Sequence, residues 1–254
     1  MRGRAPNRLP RMRDRFFVEG VHAPGDRVAL ASDDARKIVT VLRKRDGDRV
    51  QVIDSGGRAF AATLDVAGSA VAAVLDERLD RGPVESALRV TLAQAIPKGQ
   101  KMDFVVEKAT ELGVHEIVPL RSARVAGDAT GEHKRERWAR IARAASQQSG
   151  RLRVPAIAAV QGWDDLLASF ARYDRVFVPW ELAEPAPLRA TFENLGDATC
   201  LLVVIGPEGG FSAGEVARAQ SAGGEAISLG RRIVRTETAA LVVLAALLYA
   251  RAEL

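Results

Sequence analysis

The stretch Val203-Val204-Ile205-Gly206-Pro207-Glu208-Gly209-Gly210-Phe211-Ser212 decides how this chain is read. Val203 to Ile205 is a β-branched apolar run of the kind that forms a buried strand. Gly206 to Gly210 then supplies a turn with little side-chain bulk, where a ligand can approach main-chain amides closely. Ser212 is placed to cap the next helix, with Glu215 three residues on as its capping-box partner. Strand, glycine turn and helix start together make a loop of the nucleotide-binding type at the C-terminal end of a strand. It is neither GxxxxGK[ST] nor GxGxxG.

A second glycine-bearing segment follows, Leu229-Gly230-Arg231-Arg232-Ile233-Val234-Arg235-Thr236-Glu237-Thr238-Ala239. Upstream stand Lys101-Met102-Asp103, Lys108-Ala109-Thr110-Glu111-Leu112-Gly113-Val114, Gln148-Ser149-Gly150-Arg151 and Arg153-Val154-Pro155. Nearer the N-terminus are Arg15-Phe16-Phe17 and Val41-Leu42-Arg43. In this order the set resembles the SPOUT superfamily of S-adenosylmethionine-dependent RNA methyltransferases. Within it the set resembles the RsmE family, which methylates N3 of a uridine in 16S ribosomal RNA. The resemblance covers nearly all of the chain after Arg13.

The resemblance implies an α/β protein: a PUA-like RNA-binding β-barrel over residues 1–80, with 1–13 a flexible tail, then a SPOUT domain over 84–254 ending in a trefoil knot. It implies S-adenosyl-L-methionine as cofactor, the small ribosomal subunit's 16S RNA as partner, and a homodimer whose interface lies against the cofactor site. On this reading Ile205, Gly206, Pro207, Glu208, Gly209, Gly210, Leu229, Gly230, Arg232, Ile233 and Val234 hold the cofactor, with Ile205, Leu229 and Ile233 sandwiching the adenine. The acceptor N3 carries a proton that must leave before attack, so the motif's polar residues Arg235, Thr236 and Glu237 are the catalytic candidates. Arg235 is suited to stabilising a uridine anion as a fixed cation. Glu237 has two readings, proton acceptor or favourable carboxylate at a helix N-terminus. Where the family often reads Glu-Gln-x-Gly-Arg, this chain has Gln147-Gln148-Ser149-Gly150-Arg151, so no carboxylate base stands there. Gln148 and Arg151 contact RNA or brace the site, the alternative being a helix C-cap at Gly150 and a solvated arginine. Arg15, Arg43, Lys98, Lys101, Arg124 and Arg151 complete the residues expected to meet phosphate, which positions an RNA without selecting its sequence.

Composition fits. The chain has 254 residues, a net charge of +5, 47% hydrophobic and 27% charged residues, and a pI near 9.8: enough length for two domains, with a polyanion as a plausible partner. One cysteine, Cys200, excludes an internal disulfide; beside Leu201 and Leu202 it reads as a buried strand residue. His22, His115 and His133 are too scattered for a metal site. No run is apolar over the ~20 residues of a membrane span; Ala239–Ala250 reads as a helix buried all round. The arginine-rich start lacks the apolar core of a secretory signal, so the expected location is cytoplasmic.

Five short strands are predicted before the linker Asp80-Arg81-Gly82-Pro83, at Arg15–Val18, Arg27–Leu30, Arg49–Ile53, Arg58–Leu64 and Ala70–Leu75, with one helix over Asp33–Val41 capped by Ser32. After it, strands at Leu88–Ala93, Glu116–Pro119, Arg175–Val178, Cys200–Ile205 and Glu225–Leu229 alternate with helices at Met102–Leu112, Glu132–Ser149, Trp163–Phe170, Ala213–Ala222 and Thr238–Ala252. That alternation predicts a mostly parallel sheet covered by helices. Three other functions compete. A ribose 2′-O methyltransferase would carry different residues where Arg235-Thr236-Glu237-Thr238-Ala239 stands. A non-catalytic ribosome-assembly factor has no need of two intact glycine loops. A nucleotide hydrolase would need the missing P-loop lysine and metal carboxylates.

Overall fold

The structure is a computed structural model that describes residues 14–68, 70–82, 84–121, 132–184, 186 and 188–254. The chain separates into two compact units: one runs to Glu85 and includes Ser146–Arg153, the other comprises Ser86–Ala145 and Val154–Leu254.

In the first unit, β1 (Arg15–Phe17), β2 (Arg27–Ala29), β3 (Arg49–Ile53), β4 (Ala59–Ala67) and β5 (Ala70–Leu79) form one sheet in the order β1-β3-β4-β5-β2. Only β1 and β3 pair in parallel; the other pairs are antiparallel. Alternation aims one side of each strand at a core of Phe16, Val28, Val50, Val52, Phe60, Leu64 and Leu75, closed by Ile38. The predicted helix divides in two. Helix α1 (Ser32–Arg36) passes into a π-helical turn, Lys37–Val41, and Ala31 rather than Ser32 occupies the cap position.

Residues 146–153 belong to this unit, and Ser146, Gln147 and Arg151 among them are buried. Gln147 is 4% exposed; its amide donates to Asp34 at 2.9 Å and accepts from Lys37 Nζ at 2.8 Å. Gly150 ends its helix at φ +88°, the left-handed C-terminal conformation glycine favours. A Cβ there would collide with the Arg15 guanidinium. Two expectations are corrected here. Arg15 is 1% exposed and donates Nε–H to Gln51 at 2.9 Å; burial, and then the charge of Arg81, hold its pKa below the ordinary value. Arg151 is 6% exposed and donates to Glu85 at 2.7 Å, while the next amide, Leu152 N–H, donates to the same carboxylate at 2.7 Å. Guanidiniums so enclosed brace the unit and are not available to phosphate.

The second unit is a six-stranded, wholly parallel sheet in the order β11-β9-β10-β6-β7-β8. Its strands are β6 (Arg89–Ala95), β7 (Glu116–Leu120), β8 (Ala156–Ile157), β9 (Arg175–Pro179), β10 (Cys200–Ile205) and β11 (Glu225–Ile227). Covering both faces explains why the central strand β10 is apolar at every position. Leu201, Val203 and Ile205 of β10 face one core with α2 (Lys101–Glu111), α3 (Glu132–Ser149), α5 (Leu188–Glu193) and α7 (Thr236–Ala250). Leu202 and Val204 face the other, with α4 (Trp163–Ala168) and α6 (Ala213–Ser221). Two-residue β8 and six-residue α5 were not predicted. Cys200, at the start of β10, is half-buried rather than buried.

Helix α7 is likewise not buried all round. Ala240, Val243, Leu244 and Leu247 are enclosed, but Leu241, Val242, Ala245 and Ala246 are only half-covered and Tyr249 is 67% exposed. No described helix is long and apolar enough to cross a membrane.

Candidate active site

A parallel sheet gathers the loops that follow its strands at one edge, and ligands bind outside those carboxyl ends. Here the loops leaving β9, β10 and β11 enclose a cavity of about 550 Å³. Its wall is made of Pro179 to Glu181, Ile205 to Phe211 and Ser228 to Thr236, with Lys101 and Ala239. Every residue expected to hold the cofactor lies on this wall, across two loops separated in sequence.

The GPEGG loop is fixed at both ends. Downstream, Ser212 caps α6: its hydroxyl accepts from Glu215 N–H at 3.2 Å, and Glu215 accepts from Ser212 N–H at 2.8 Å. This is the predicted capping box. Upstream, a Cβ on Gly206 would stand 3.1 Å from the Phe211 ring, tighter than packing allows without displacement. Gly210 has φ +67° and lies against the Glu181 carboxylate, which fills the space a Cβ would need. Glu208 accepts Lys98 N–H at 2.9 Å, and Lys101 Nζ is 3.9 Å from it. Burial pushes its pKa up, but the Lys98 amide, its own amide and the charges of Lys101 and Lys98 outweigh that and hold it below the ordinary value.

The second loop meets the first through Thr236. Its hydroxyl donates to Gly206 O at 2.5 Å and accepts from Gln94 Nε2 at 2.9 Å. The side chain is 6% exposed, and Thr236, expected among the catalytic residues, lies on the cavity wall and pins the two loops to β6. Glu237 sits in the first turn of α7, where a carboxylate offsets the helix dipole. Its Oε1 is 3.5 Å from Lys101 Nζ, and its Oε2 is buried without a hydrogen-bond partner. Lys101 therefore faces two carboxylates of the site rather than open solvent alone. Arg235, at the cap position, is exposed and lies on the cavity wall. Ile233 also lines the cavity but is 88% exposed, an open lip and not a closed sandwich. Of the residues expected to meet RNA, Arg43, Lys98 and Gln148 are exposed, Arg15 and Arg151 are internal, and Arg124 lies outside the described residues.

Residues 84–248 match a family model described as an RNA methyltransferase domain. The chain belongs to the ribosomal RNA small subunit methyltransferase E family. A relative of that name from Bacillus subtilis is 33% identical over 229 residues, 87% of this chain and 89% of its own. Another, from Mycobacterium bovis, is 30% identical over 91% of this chain and 89% of its own. A solved methyltransferase E from Neisseria gonorrhoeae, bound to S-adenosyl methionine, superposes with a TM-score of 0.80 at 33% identity, covering 93% of this chain and 97% of that one. Sequence reasoning missed Pro179, Trp180 and Glu181 on the wall. The signal available was their position directly after an apolar strand; they form no motif.

Proposed function

We propose that this protein methylates N3 of a uridine in 16S ribosomal RNA with S-adenosyl-L-methionine. The observation that carries this reading is the cavity walled by two glycine loops and closed by the Thr236–Gly206 hydrogen bond. The wall fits such a cofactor. Gly206 and Gly210 are positions where a side chain would intrude, so main-chain groups are left to meet an adenine edge, with Ile205, Leu229, Ile233 and Val234 as apolar contacts. When bound, the cofactor supplies an electrophilic methyl group on a sulfonium.

The chain's own task is to make uridine N3 a nucleophile. Arg235 is on the wall, exposed and able to present a planar cation to the uridine carbonyl oxygens as negative charge develops. Lys101, between Glu208 and Glu237, holds the two loops' carboxylates in place. Lys98 in the second unit and Arg43 and Gln148 in the first are the proposed RNA contacts, supplying affinity and position.

The finer architecture belongs to the same reading. The five-stranded sheet is proposed as a PUA-like RNA-binding barrel and the loops around the cavity as a SPOUT trefoil knot. The half-covered apolar side of α7 is proposed as the centre of a homodimer interface. The protein is proposed to work in the cytoplasm. Incubation with labelled cofactor and small subunits lacking the modification, followed by mass mapping of the RNA, tests the function. One methyl on a uridine base is the expected product; a ribose methyl, or none, overturns it.

A further inference from the structure

We propose that Glu181 is the specificity-determining residue for the sugar of the cofactor, its carboxylate accepting hydrogen bonds from the two ribose hydroxyls. The inference rests on the cofactor reading above. Strand β9 lies beside β10 in the sheet, so the residues that leave β9 emerge next to the glycine loop that leaves β10. Trp180 fixes that exit twice: its N–H donates to Ile227 O at 2.9 Å, and its indole Nε1–H donates to Phe211 O at 3.2 Å. The next residue, Glu181, is thereby delivered to the cavity wall against Gly210.

Two carboxylates line this wall. Glu208 is engaged by the Lys98 amide and by Lys101. For Glu181 there is no ion pair or hydrogen bond among the described residues, and it is exposed to the cavity side. An ionised carboxylate is purely an acceptor, with two oxygens, and a vicinal diol offers two donors. An acidic side chain at the end of a strand beside a glycine loop is the usual solution for holding a ribose hydroxyl in nucleotide sites. Gly210 gains a second reason to be glycine: a Cβ would displace the carboxylate as well as strain a φ of +67°.

Calorimetric titration of the full chain with S-adenosylhomocysteine, whose sulfur is neutral, separates hydrogen bonding from attraction to the sulfonium. Glu181→Ala should weaken this ligand about ten- to a hundred-fold, and S-adenosylmethionine by the same factor, with Glu181→Gln in between. Wild-type protein should bind the 2′-deoxy analogue of S-adenosylhomocysteine more weakly, and Glu181→Ala should not distinguish analogue from parent. The analogue comparison on wild type needs no variant to fold. Unchanged affinity in Glu181→Ala, a loss confined to the sulfonium form, or equal sensitivity to the missing hydroxyl in both proteins would each overturn the assignment. Wild-type protein that binds neither ligand would remove the cofactor reading itself, and this assignment with it.

Discussion

Two glycine-marked segments, Gly206–Gly210 and Gln147–Arg151, carry family motifs of similar legibility in the sequence, yet the fold uses them in opposite ways. The first is left open on a cavity wall, with its side-chain space taken by Phe211 and Glu181. The second is folded inward, its Gln147 and Arg151 spent on Asp34, Lys37 and Glu85. The lesson is that a motif's polar residues become functional or structural according to what covers them. Arg235 and Arg151 are the same residue type; one is exposed and the other is enclosed.

Substitutions can break this contrast. The largest effect belongs to Gly210→Val, which adds a branched side chain at positive φ into the Glu181 carboxylate. Cofactor binding by calorimetry should fall below detection while circular dichroism stays native. Wild-type affinity would place the loop outside the site. Next is Arg235→Ala. If this exposed guanidinium stabilises the uridine anion, kcat should fall on the order of 10²-fold with cofactor affinity and melting temperature unchanged. Arg235→Lys should rescue in part, since an ammonium lacks the planar fork, and higher pH should partly rescue the alanine variant by deprotonating N3. A stability loss with unchanged kcat would make Arg235 structural.

Arg151→Ala should do the reverse. Removing the guanidinium that donates to Glu85 should cost about 2 kcal/mol, seen as a lower denaturation midpoint, with cofactor affinity untouched. A variant of full stability but weakened RNA binding would return Arg151 to the RNA-contacting set. The smallest effect sharpens the cavity side. Glu208 has its pKa depressed in the folded protein, so its contribution is present above the ordinary carboxylate pKa of ~4.3 and is lost as pH falls through the lowered folded value. Glu208→Gln should therefore lower stability at neutral pH slightly and flatten the acid limb of the stability profile; an unchanged acid limb would show that the Lys98 and Lys101 contacts contribute nothing. With a third of the side chain exposed, the effect is screened by solvent.

Much of this was legible because its causes are local. Strand β10, helix α3, the Ser212 capping box and the Gly150 helix end follow from periodicity, cap chemistry and the backbone freedom of glycine, all of which act within a few residues. Strand β8 and helix α5 were not, because two and six residues are too few to show a period and are held by packing. Thr236 was read as catalytic from its place in a motif. Its role as a pin depends on Gly206 and Gln94, 30 and 142 positions away.

The alternating α/β order, the two glycine loops and the family are therefore written in the chain's local patterns. Apolar period and glycine φ preference are properties of the chain wherever it goes. Which polar side chains are enclosed is settled by the fold alone. Arg15, Gln147 and Arg151 are polar by composition but internal by fold. Glu181 carries no motif and reaches the cavity because β9 happens to end beside β10. Burial and partner choice are set by contacts between distant segments, and no local pattern encodes them.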